Sequence, residues 1–140
     1  DLVRSRGLGD VYKRQSLGLV MKAKEELIDR AFTLAKEELA KARSREDYPE
    51  ILHRLTQEVV DELGRELVIE VDPHDSELME KIIAEMGLQA TVRPSLRCMG
   101  GLAATPRDGR IRLVNTIDSR LERARESLRE QVAAIVAEAD

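Results

Sequence analysis

Through residues 20–63, 78–86 and 117–135 the apolar side chains recur every three or four residues; between Gly87 and Asn115 the period changes to two. One period cannot serve both kinds of element, because successive side chains of a strand point to opposite faces. The chain must therefore combine helices with a sheet. From about Leu17 to Ala42, the residues Val20, Ala23, Leu27, Ala31 and Leu34 form a narrow apolar stripe among Lys and Glu, an amphipathic helix. Val20 to Ala31 and Ala23 to Leu34 are steps of eleven, the repeat that favours right-handed winding about a partner. Ser44 to Asp47 reads as a break and restart, with Ser44 as cap and Pro49 within a first turn. Ile51, Leu52, Leu55, Val59 and Leu63 make a broader stripe closed by Gly64. Residues 66–71, ELVIEV, read as a buried strand. Asp72 and Pro73 then open a helix carrying Leu78, Ile82, Ile83 and Met86, closed by Gly87.

Residues 89–93 read as a strand stopped by Pro94, and residues 101–105 and 110–114 as a hairpin around Pro106-Arg107-Asp108-Gly109. Gly100-Gly101 precedes a strand, not a helix. That makes it a bulge or a point of close backbone approach, not a phosphate-cradling loop. Asn115 is placed to cap a final helix whose stripe is Ile117, Leu121, Ala124, Leu128, Val132 and Ile135. The order implies an α+β fold: a small, largely antiparallel four-stranded sheet packed with helices, preceded by a projecting amphipathic N-terminal helix. Residues 16–43 form that helix and residues 44–140 the globular domain. Residues 1–15, DLVRSRGLGDVYKRQ, show two glycines, a net positive charge and no sustained period. The string is similar to a translated sequencing-adapter tail and is set aside as non-native, which would make the helix from Leu17 a stump.

Chemical equipment is sparse. Of 140 residues, 36% are charged and 2% aromatic, namely Tyr12, Phe32 and Tyr48; such a balance suits long helices washed by solvent. The lone Cys98 cannot form an internal disulfide, and no His lies near it in sequence to activate it. His53 and His74 stand apart, so no metal-ligand spacing arises. Pairs such as Glu25-Glu26, Glu37-Glu38 and Asp61-Glu62 fall on helices rich in Lys and Arg and read as solvated faces. Neither a Walker loop, a G-x-G-x-x-G nor a G-x-S-x-G is present. These readings point to no catalytic residue, no metal and no cofactor. No apolar run reaches the roughly 18 residues of a membrane span, and the first ten residues do not read as a secretion signal.

Charge is unevenly spread. Residues 57–85 hold ten acidic side chains against two basic ones, whereas residues 93–129 hold nine arginines against four acids. The arginines admit a nucleic-acid-binding or other interaction module as the alternative function. Base stacking, however, needs aromatics on the sheet, and the expected strands contain none. Arg120, Arg123, Arg125 and Arg129 also interleave with Glu122, Glu126 and Glu130, offering pairs along the helix.

In combination, Gly100-Gly101, the run Asp108-Gly109-Arg110-Ile111-Arg112, Asn115-Thr116 and Arg120-Leu121-Glu122 closely resemble the E subunit of bacterial and archaeal V-type (A-type) rotary ATPases. Tyr48-Pro49-x-Ile51-Leu52 and Val71-x-Pro73 resemble it too, so the similarity runs from about Ala35 to the C-terminus. Val114 stands where the family usually has Asp, which leaves Asn115 to cap the last helix alone, at a cost of about 1 kcal/mol. The resemblance implies a non-catalytic peripheral-stalk protein on the cytoplasmic face of the membrane. Its partners would be a helical stalk subunit (G or H), the B subunit of the catalytic head with A beside it, and the membrane sector reached through the stalk. Holding the head against rotor torque would couple proton or other ion transport to ATP synthesis or hydrolysis. Leu27, Ala31 and Leu34 are expected to face the partner helix. The final helix and the Pro106–Gly109 hairpin, with Arg107, Arg120 and Arg123, are expected to dock on the head.

Overall fold

The computed structural model describes residues 2–138. Its elements run α1 (Leu2–Leu39), a 3-10 turn (Ala42–Ser44), α2 (Tyr48–Leu63), β1 (Glu66–Glu70), a second 3-10 turn (Pro73–Asp75), α3 (Ser76–Met86), β2 (Gln89–Arg93), β3 (Gly101–Pro106), β4 (Leu113–Thr116) and α4 (Ile117–Glu138). They divide into two compact units, Lys36–Glu122 and the pair Asp1–Ala35 with Arg123–Asp140.

In the first unit the sheet has the order β2-β1-β3-β4. The β1–β3 and β3–β4 pairings are antiparallel, as expected for most of the sheet, but β1 and β2 are parallel. The reason is the connection: α3 carries the chain back across the sheet, and only such a crossover lets two strands run the same way. Helices α2 and α3 pack on one face, where Leu52, Leu55, Val59, Met79 and Ile82 meet Leu67, Ile69, Leu102 and Ala104 in a single core. Leu52, Val59, Leu67, Ile69 and Met79 are fully buried; each full side-chain burial is worth about 1.5–3 kcal/mol.

Most terminators work as their residue types suggest. Pro49 sits in the first turn of α2, and Gly64 ends the helix at φ 91°. Gly87 closes α3 in the left-handed region at φ 65°, a conformation that a Cβ disfavours. Two local expectations change. Ser44 does not cap α2; its hydroxyl donates to Lys41 O, and Asp47 at the cap position is taken up by Arg45 at 2.9 Å. The last strand spans Leu113–Thr116 instead of residues 110–114, because Asp108 and Gly109 (φ 74°) keep the chain in a turn and Ile111 stays 62% exposed.

The second unit is helical. Residues 2–15 belong to α1 although they lack an apolar period. Leu, Arg, Lys and Gln there are good helix formers and no proline interrupts, so Gly7 and Gly9, at roughly 1 kcal/mol each, do not stop the helix. Within this unit Glu25 and Asp29 of α1 form ion pairs with Arg129 and Arg125 of α4.

Candidate docking surfaces

Successive helical residues are about 100° apart, so α1 displays two separate sides. Val20, Leu27, Ala31 and Leu34 share one. It faces solvent: Leu27 is 62% and Leu34 58% exposed. About a third of a turn away lies Ile28, only 6% exposed, on the side where Glu25 and Asp29 meet α4. The stripe expected to face a partner is thus an exposed apolar surface, while the neighbouring side is satisfied within the chain. Periodicity alone does not single out that neighbouring side. Its signal, Ile28 with Phe32 and Ala35, is diluted by Glu25 and Asp29, whose charges are useful only against the arginines of α4.

In the sheet unit, the Gly100-Gly101 pair is a close approach of backbones. A Cβ on Gly101, at φ 103°, would lie 2.5 Å from Asn115 O and 2.6 Å from Thr116 Cα, its neighbours on β4. A Cβ on Gly100 would meet Ile117 Cδ1 at 2.8 Å and Tyr48 Oη at 2.9 Å. The glycines let α2, β4 and the start of α4 close on one point. The cap of α4 is Thr116, not Asn115: Ser119 N donates to Thr116 Oγ1 at 3.0 Å, and Thr116 N donates to Ser119 Oγ at 3.1 Å. Asn115 points into the domain instead. Its amide donates to Leu55 O at 2.9 Å and to Glu58 Oε2 at 3.0 Å. The Val114 departure therefore does not weaken the cap, since the residue that caps is still present.

A buried polar cluster ties the 3-10 turn Ala42–Ser44 to this point. Arg43 donates to Asp75 through Nε at 2.9 Å and Nη2 at 3.2 Å, and to Cys98 O at 2.9 Å. Tyr48 Oη donates to Asp75 Oδ2 at 2.8 Å and accepts from Gly101 N at 3.3 Å. Asp75 is 1% and Tyr48 2% exposed. Burial works against the Arg43 charge, yet the hydrogen bond and charge of Asp75 prevail and hold its pKa above the ordinary value. Burial, reinforced by Asp75, likewise pushes the Tyr48 hydroxyl up. Burial raises the Cys98 thiol, the opposite of what a nucleophile requires.

Asp72 is 7% exposed. Burial opposes its ionisation, but the His74 backbone N–H and ring, the Cys98 N–H and the Arg43 charge outweigh it and hold the carboxyl at about 2. A depressed carboxyl contributes stability above its unfolded value that is lost as pH falls through its folded one. Acid titration followed by circular dichroism should show roughly 2 kcal/mol of stability lost between about pH 4 and pH 2. Asp72→Asn should flatten that limb; an unchanged limb would remove Asp72 from the account.

The three arginines expected to dock do not share one groove. Arg107 lines a groove of about 330 Å³ on the sheet with Val68, Glu70, Arg93, Thr105 and Arg112. Arg120 lines another of about 420 Å³, floored by Leu39, Ile51, Leu55 and Ile117. It is engaged there by Glu58 at 2.7 Å and Asn115 at 3.3 Å. Arg123 belongs to the helical unit and is exposed. The turn residues Asp108 and Gly109 are exposed beside Arg107. Among the described residues no cluster of three or more His, Cys, Asp or Glu could hold a metal ion, and no helix is long and apolar enough to cross a membrane.

Comparison with known proteins agrees with the geometry. The sequence model of the ATP synthase (E/31 kDa) subunit matches residues 12–135. The chain is 38% identical over 105 residues to the A-type ATP synthase E subunit 2 of Methanospirillum hungatei, which covers 74% of this chain and 53% of that protein. It is 35% identical over 130 residues to the A-type ATP synthase E subunit of Methanothermobacter thermautotrophicus, covering 84% and 63%. It is 26% identical over 137 residues to the V-type ATP synthase E subunit of Deinococcus radiodurans, covering 98% and 70%. The chain spans about half to two thirds of the length of the archaeal relatives it matches. With the glycine-seated sheet, the Thr116 cap and α1 from residue 12 onward inside the matched residues, this chain belongs to the ATP synthase E-subunit family.

Proposed function

We propose that the chain is a non-catalytic peripheral-stalk component of an A/V-type ATP synthase, held at the cytoplasmic face of the membrane as part of the complex. In this reading it keeps the catalytic head still against rotor torque, so that ion flow, of protons or another coupling ion, is coupled to ATP synthesis or hydrolysis. Residues 16–43 pair with a helical partner (G or H), and residues 44–140 form the domain that docks on the B subunit, with A beside it. The membrane sector is reached through the stalk. No cofactor and no nucleic acid takes part.

The observation that carries this reading is the exposed stripe Val20, Leu27, Ala31 and Leu34 on α1. An apolar side left in water costs about 25 cal/mol per Å², which a partner helix recovers. Co-expression with the helical partner should give a heterodimer on size exclusion. Leu27→Asp with Leu34→Asp should weaken it about a hundredfold, near 3 kcal/mol, because charges would be buried unpaired. A heterodimer indifferent to both substitutions would refute the interface.

A further inference from the structure

Where the domain meets the head follows from where its uncompensated charge lies. Helices α2 and α3 cover one face of the sheet, packing on Leu67, Ile69, Leu102 and Ala104. Alternation along the strands sends Thr91, Arg93, Val68, Glu70 and Thr105 to the opposite face. The register sets Val68 beside Thr91 and Thr105, and Arg93 beside Glu70. The result is a shallow groove with a floor of small side chains and a rim of Arg93, Arg107 and Arg112. Glu70 is the one carboxylate lining it, and Arg112 Nε already donates to Glu70 at 2.9 Å. Arg93 and Arg107 are exposed, and neither has an ion pair or a side-chain hydrogen bond among the described residues. By contrast Arg120, in the other groove, is occupied by Glu58 and Asn115.

Resting on the stator reading above, we infer that the open sheet face is the head-docking surface and that the head element seated there presents carboxylates to Arg93 and Arg107. Two guanidinium groups beside a flat floor bind planar carboxylates with paired hydrogen bonds. A nucleic acid would need aromatic side chains for its bases, and β1 to β4 contain none.

The test measures binding of the full chain, paired with its helical partner, to the A and B subunits of the same organism. The variant Arg93→Glu with Arg107→Glu should slow association at low salt by about tenfold or more and flatten the salt dependence. Arg93→Gln with Arg107→Gln should give a smaller loss of the same kind, with thermal midpoints equal to the wild type. The other two arginines expected to dock are probed by Arg120→Gln with Arg123→Glu, which should leave the on-rate within about twofold. Loss confined to that second pair, or no loss in either, overturns the inference while the stator reading stands. Single-stranded RNA retained by the wild type at about 150 mM salt, and released by the Arg93 and Arg107 variant, would also overturn it. A wild-type chain that does not bind the head at all removes the stator reading itself.

Discussion

Gly101→Val is expected to cost the sheet domain at least about 4 kcal/mol in urea unfolding. Two effects add. At φ 103° a branched side chain is held in a region it strongly resists, worth about 1–3 kcal/mol. The new Cβ would also sit 2.5 Å from Asn115 O. That carbonyl belongs to β4, whose pairing with β3 is fixed at Gly101 and Thr116. Relieving the clash moves β4, and with it the Asn115 bonds to Leu55 and Glu58. Gly109→Ala is the internal control: its φ is 74° but nothing lies within 4 Å, so only the roughly 1–2 kcal/mol of left-handed strain applies. Equal costs for the two variants, or a Gly101→Val loss below about 1 kcal/mol, would mean that the close approach does not matter energetically.

Asp75→Ala is expected to cost about 3 kcal/mol. Breaking a buried ion pair by removing one partner ordinarily costs about 3–5 kcal/mol. The lower end applies, because the Arg43 side chain is 26% exposed and keeps Asp72 3.9 Å away. Losing the carboxylate also strips the Tyr48 hydroxyl of its acceptor. Tyr48→Phe alone should therefore cost about 1 kcal/mol. A double-mutant cycle between Arg43→Met and Asp75→Asn isolates the pair, and a coupling energy near zero would show that the cluster is incidental. The cluster fastens the turn that holds Arg43 to α2 and to the turn before α3 through the Asp75 carboxylate, and to the loop before β3 through the Cys98 carbonyl.

Helices α2 and α3 are legible in the residues because each carries a 3.6-residue stripe closed by glycine, with Pro49 in the first turn of α2 and Pro73 opening the 3-10 turn that leads into α3. These are local signals that need no partner to be read. Strand β2 is legible for the same reason, with Pro94 as its stop. The fourth strand lies later than its pattern suggests because Arg110-Ile111-Arg112 alternates like a strand, yet Gly109 turns the chain late and Ile111 never finds a covered face. The cap of α4 sits one residue beyond the expected Asn115, since Asn and Thr can both cap. Their roles are decided by which side chain faces Leu55 across the domain.

What the residues determined by themselves was the set of elements, the tight glycine pair, the apolar stripe on α1 and the absence of catalytic motifs, because periodicity, backbone freedom and residue chemistry act over a few neighbouring positions. Tertiary structure alone decided the parallel pairing of β1 with β2, the joining of Arg43 to Asp75 across 32 positions, and which arginines keep their charge unshared. Those outcomes depend on burial and on partners that meet only once the chain has closed on itself, where a charge is stabilised or left uncompensated by groups remote in sequence.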